Sequence, residues 1–280
     1  MIIKMQTKAS FKKEALSYFR TGRFFIIAAA IIGLAIFMPL MIAGLTTFMD
    51  AASDIYYDMG VDVTGMTGFL ATNSAALTQS AVNITQIGLL VLLILLNRSA
   101  GGEQKKRTVI IPKSSGLRSF SYLFPKYVIY PISAFALGFI GMLTSYGISS
   151  LLFDANDVLF QNLVFAALLI GTALALYVCL HLTLGTATGQ AGLSATLCII
   201  AAFLLPVVFS AAGGGVVFNP FGMDLLAFSA IASEALTVSQ VLDIVYTILF
   251  ALGIMVVTFL VALFAQNAKR IDNSGDEKEL

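Results

Sequence analysis

VLFQNLVFAALLIGTALALYVCLHLTLGTATGQAGLSATLCIIAAFLLPVVFSAAGGGVVFNPFGM, residues 158–223, contains no Asp, Glu, Lys or Arg, and its one ionisable imidazole is His181. A hydrocarbon core about 30 Å thick needs roughly 20 apolar residues at about 1.5 Å of helical rise each, so this stretch is too long for one crossing. Gly185, Gly189 and Gly192, set among Thr and Gln, mark a break near 183–190 and divide it into two helices. Working outward, uncharged runs at 24–49, 63–97, 127–153 and 244–268 are each long enough for one more. Six spans result, near 24–46, 80–96, 127–152, 159–182, 191–211 and 244–265. With mean hydropathy +0.93, 59% hydrophobic and 11% charged residues, against about 25% charged in soluble domains, the chain reads as an all-α integral membrane protein.

All 16 Lys and Arg residues fall within 1–23, 98–126 and 269–278. The intervening connections carry only acid: Asp50, Asp54, Asp58 and Asp62, then Asp154 and Asp157, then Asp224, Glu234 and Asp243. The positive-inside rule therefore predicts that both termini are cytoplasmic. The first apolar run is too long for a signal peptide and lacks an A-x-A site after it, so it reads as a retained anchor. Cys179 and Cys198 fall inside spans and read as packing thiols. Tyr56, Tyr57, Tyr127, Tyr130 and Tyr246 read as interface anchors, and His181 as a membrane-boundary histidine.

Residues 8–22 place Phe11, Ala15, Tyr18, Phe19 and Gly22 at helical spacing, with Lys12, Lys13 and Arg20 on other faces. This predicts an amphipathic elbow helix lying on the inner membrane surface, with Gly22 turning the chain into the bilayer. Residues 98–126 form the longest cytoplasmic connection and hold seven of the basic residues. Gly101 and Gly102 end the second span, Pro112 interrupts any helix begun at Glu103, and 114–124 can form a short amphipathic segment. On the outer side, residues 212–243 carry three glycines and Asn219-Pro220-Phe221 between apolar pieces too short to span, which predicts re-entrant or interfacial helices capping a packed bundle. The single domain runs over 1–268, and the polar tail 269–280 reads as disordered.

Several chemistries are excluded. No Gly-Lys pair occurs, so there is no P-loop, and one histidine cannot build a His-pair metal site. Ser194, in GLSAT, has only His181 as a possible base. Every acidic or basic side chain falls in a loop or at a span edge, which argues against a proton relay or voltage sensor. Gly185 and Gly189 form a G-x-x-x-G compatible with dimerisation.

This arrangement resembles the permease subunits of the type-2 ABC transporter family over roughly residues 10–268. The resemblance rests on an elbow helix, six spans, an outer cap, and Glu103, Gln104, Lys105, Lys106, Arg107 and Thr108 followed by Pro112, Ser114, Ser115 and Lys126. The chain departs from the family's pattern in having Arg107 where Gly is usual. The resemblance implies a half-transporter of a bacterial-type plasma membrane, exporting cargo as a pair with a second copy or paralogue. Residues 103–112 would dock a separate cytoplasmic ATPase, which binds ATP and Mg; no cofactor, catalytic residue or metal is expected on this chain, and no nucleic acid among its partners. A second reading, from another class, is a non-transporting membrane sensor or scaffold whose outer binding surface is 50–79 and 212–243. An intramembrane enzyme is a third reading, weakened by the missing catalytic constellations.

Overall fold

The computed structural model describes residues 2–52, 71–103, 117–154, 157–211 and 219–276, with side chains placed from Met5 to Ala268 of these. Among the described residues there is no strand. Eight helices follow in order: α1 (Ile2–Arg20), α2 (Arg23–Ala51), α3 (Asn73–Gly102), α4 (Ser119–Leu152), α5 (Phe160–Thr188), α6 (Ala191–Phe209), α7 (Met223–Ala232) and α8 (Val238–Asp276). Six are long and apolar enough to cross a membrane: α2, α3, α4, α5, α6 and α8 over Val238–Ala268. The chain is a multi-pass, all-α membrane protein.

Several boundaries move from the sequence reading. The fourth and fifth spans part at Gly189, whose φ of 69° caps α5 before α6 starts at Ala191. The third span begins eight residues early, because α4 runs unbroken through Pro125 and Pro131 instead of leaving 114–124 as a separate segment. The second span begins at Asn73, where the Thr72 hydroxyl accepts the Ala75 N–H and caps the helix. The last span begins at Val238, and α8 continues to Asp276, beyond the point where the tail was expected to leave the helix.

The core is built around α5, 78% of whose most apolar window is buried, against 17% for α6 and for α8. Exposed apolar side chains such as Leu204, Val207, Val256 and Phe264 cover the outer faces of α6 and α8. In water this surface would be a liability; in lipid it is the ordinary solvent-facing side.

Side-chain bonds define two ends of the bundle. At the acidic end, Ser149 on α4 donates to Asn73 Oδ1 on α3, the Asn73 N–H donates to Asp157 Oδ2 at 3.1 Å, and Asn162 Nδ2 on α5 donates to the Ser233 carbonyl at 2.7 Å. Toward the basic end, Tyr127 on α4 meets Thr183 on α5 at 2.6 Å, and Thr183 donates to the Thr258 carbonyl of α8 at 3.1 Å. Each span thus alternates direction with its neighbour in sequence.

The G-x-x-x-G pair is used inside the chain. A Cβ on Gly185 would sit 2.6 Å from the Ala100 carbonyl carbon and 2.7 Å from the Ala100 Cβ, so the end of α5 touches α3 backbone to backbone. That contact, together with the capping role of Gly189, accounts for both glycines without a second copy.

Candidate functional site

Lys126 lies two turns into α4 and is only 2% exposed. A buried ammonium needs its charge countered and its three donors occupied. Its Nζ donates to Glu103 Oε2 at 2.7 Å, to the Ser99 carbonyl at 2.9 Å and to the Tyr122 hydroxyl at 2.9 Å. Glu14 Oε1, from α1, stands 3.9 Å away as a second countercharge.

Helical spacing assembles the rest. Tyr122, Lys126 and Tyr130 recur every four residues and so share one face of α4. The Tyr122 hydroxyl donates to Glu103 Oε2 at 2.7 Å, and the Tyr130 hydroxyl donates to Glu14 Oε2 at 2.8 Å. Ser99 Oγ in turn donates to the Tyr130 hydroxyl at 2.8 Å, and Arg23 Nη1 reaches Ser99 Oγ at 3.5 Å. Three elements, α1, the last turn of α3 and the start of α4, are joined through one ammonium. That last turn of α3, Arg98–Gly102, is a π-helical turn, a local widening often found at functional positions.

The electrostatics favour the ionised form of Glu103, which lies outside the spans. Burial alone would raise the Glu103 carboxyl. The charge of Lys126, hydrogen bonds from Lys126 and Tyr122, and the charge of Lys13 together hold it below its ordinary range. On α1, burial pushes the Tyr18 hydroxyl up against a hydrogen bond with Ser133, so Tyr18 stays a neutral partner.

The elbow helix forms but stands differently from the sequence expectation. Thr7 meets Ser121 at 3.1 Å, Glu14 meets Tyr130, and Tyr18 meets Ser133 at 3.1 Å. This ascending series sets α1 alongside the first turns of α4, running in the same direction, where a helix flat on a membrane would cross them. In this pose Glu14 stands 3.9 Å from the Lys126 ammonium. The expected aromatic stripe divides accordingly: Tyr18 is buried against the bundle, Phe19 is exposed and Phe11 half-buried, while Lys12, Lys13 and Arg20 face outward. Gly22 makes the expected turn at φ 73°, a left-handed conformation that suits glycine.

Of the segment expected to dock a partner, Glu103 is placed; Gln104, Lys105, Lys106, Arg107, Thr108 and Pro112 lie outside the described residues. Sequence reasoning quoted Glu103 and Lys126 but missed Glu14, Ser99, Tyr122 and Tyr130 as their partners. Tyr130 is a buried partner of Glu14 and not an interface anchor. The available signal was the four-residue spacing of Tyr122, Lys126 and Tyr130.

The outer cap holds a second surprise. Asn219 Nδ2 donates to the Pro206 carbonyl, Asn219 Oδ1 accepts the Phe221 N–H, and Pro220 and Phe221 are buried. The Phe221 carbonyl lies 3.5 Å from the Tyr177 hydroxyl, near the middle of α5. The other end of α7 meets Asn162, 15 residues or about 22 Å away along α5. α7 is therefore a re-entrant half-helix that begins deep in the bundle and rises to the acidic end. Asp224, expected in a loop at the surface, is carried to that depth.

His181 is fully buried, with Nδ1 3.3 Å from Ser194 Oγ. Ser194 also donates to the Ala191 carbonyl at 2.8 Å, and among the described residues His181 Nε2 has no hydrogen-bond partner. The pair has two parts of a triad and serves as a polar tie between α5 and α6. Among the described residues no group of three or more His, Cys, Asp or Glu could hold a metal ion.

Compared with family models, with curated proteins and with solved structures, the chain matches none.

Proposed function

We propose that this chain is the membrane-spanning permease subunit of an ATP-driven exporter, with both termini in the cytoplasm and ATP hydrolysis on a separate chain. The observation that supports it is the Glu14–Lys126–Glu103 cluster, which ties α1 to both flanks of the basic segment 104–116. A force on that segment would reach three helices, because the cluster joins them. An ATPase docked at Lys105, Lys106 and Arg107 would use this attachment to rock the bundle between two states, each favoured by a different nucleotide condition. The positive-inside rule assigns the basic end, with its 16 cations, to the cytoplasm, the side on which such a partner would act.

The test is to tag the chain in its own host, solubilise gently and ask what co-purifies. Stoichiometric recovery of a Walker-motif ATPase, lost on reversing charge at Lys105, Lys106 and Arg107 while the spans stay folded, supports the proposal. Recovery of the chain alone or with non-ATPase partners overturns it in favour of a sensor or scaffold.

A further inference from the structure

Beneath the re-entrant helix lies a partly open cavity of about 210 Å³ between α3, α5, α6 and the start of α7. Its walls are mainly apolar, with Leu89, Leu174, Ile199 and Phe203 among them, and its polar groups are few: Thr85, Gln86, Tyr177 and Asp224. Thr85 is occupied by the Ala81 carbonyl at 2.8 Å. Thr85 and Gln86 belong to a second π-helical turn in α3, Ile84–Gly88, which widens the helix beside the cavity.

Among the described residues, Asp224 is the one charged group lining this space. One of its oxygens, Oδ1, accepts the Leu225 N–H at 3.0 Å, and its place in the first turn of α7 lets the helix dipole favour the anion. What it lacks is a cation. No Lys or Arg occurs anywhere between residues 127 and 268 or between 24 and 97, the stretches that supply every wall of the cavity. A carboxylate at membrane depth is costly unless something counters it, and such residues mark ligand paths more often than packing.

We propose that this cavity binds a small hydrophobic amine, its ammonium on Asp224 and its apolar body against α3, α5 and α6. Charge complementarity demands a cation, and the apolar walls exclude a bare metal ion, which would need several oxygen ligands where one carboxylate is offered. The volume sets the size: sites for drug-sized ligands run about 300–1,000 Å³, so a single-ring or short-chain amine fits. Half-helix N-termini at mid-membrane commonly border binding sites, and here the first-turn carboxylate reverses the usual preference for anions. The site needs no ATPase, so its failure and the failure of the coupling proposal are separate results.

The experiment places the purified full chain in phosphatidylcholine nanodiscs and titrates 2-phenylethylammonium by calorimetry, with empty nanodiscs subtracted and the uncharged 2-phenylethanol as comparison. Saturable binding of the ammonium, at least about tenfold tighter than the alcohol and weakened about tenfold or more in Asp224→Asn, is expected. Asn keeps the helix-terminal role of Asp224, and Ala202→Phe, which fills the cavity while leaving the carboxylate, abolishes binding. If Asp224→Asn does not fold, the amine-to-alcohol ratio and Ala202→Phe decide the matter. Equal binding of amine and alcohol, no saturable binding, or unchanged affinity in the folded variants overturns the proposal.

Discussion

Lys126 Nζ lies 2.7 Å from Glu103 Oε2, so the residue that follows α3 and a residue two turns into α4 meet across the segment between them. The base of that segment is closed by a buried ion pair.

Removing the ammonium leaves two carboxylates facing one another in a poorly solvated site. Lys126→Met is expected to cost about 3–5 kcal/mol, seen as a large fall in the apparent melting temperature of the solubilised chain. Adding Glu14→Gln and Glu103→Gln to Lys126→Met should restore part of the loss. A strictly additive triple variant would mean that the three side chains do not act as a unit.

The same cluster gives the chain a one-sided acid sensitivity. Glu103 has a folded-state carboxyl held below its ordinary 4.5. A depressed acid contributes stability that is fully present above the ordinary value and is lost as pH falls through the lower folded-state value. Wild type should therefore lose stability relative to Glu103→Gln below about pH 4.5, and the difference should be constant from pH 6 to 8, as read by thermal unfolding.

At Gly185 any side chain meets Ala100. Gly185→Leu should force α5 away from the π-helical end of α3 and cost at least about 1–3 kcal/mol, whereas the lipid-facing Gly253, with nothing within 4 Å of an added Cβ, should accept Leu with little change. Paired melting curves of the two variants check this.

Cys179 and Cys198 are both buried and unbonded to each other. Cys198 Sγ donates to the Tyr177 carbonyl at 3.3 Å. A water-soluble maleimide should label neither in the folded chain and both after denaturation, which mass spectrometry reads directly.

Six spans were legible because lipid solvation imposes one rule on every crossing: about 20 residues without charge. The Gly185–Gly192 break was legible for the same reason, since glycine among polar residues has no place in mid-crossing. What the sequence hid was depth and pairing. Glu14 looks like one more charge on a basic, solvated helix until Lys126 is placed beside it. Asp224 sits in a stretch too short to cross, so one-dimensional reading puts it in a connection, and only the contacts of Phe221 with α5 and of Asn219 with α6 reveal how far α7 descends. The segment 114–124 read as a piece apart from the third span, yet α4 starts at Ser119 and runs through Pro125 without a break.

Glu14 and its partner Tyr130 are 116 residues apart in the chain. At a synthesis rate of about 5–20 residues per second, the ribosome takes roughly 6–23 s after making Glu14 before Tyr130 exists. During that interval α1 has no socket, and α2 and α3 must enter the bilayer with the first helix undocked. The emergence of α4 is thus the moment at which the N-terminal helix is recruited, and a chain stalled or truncated before Lys126 would leave its first helix permanently adrift.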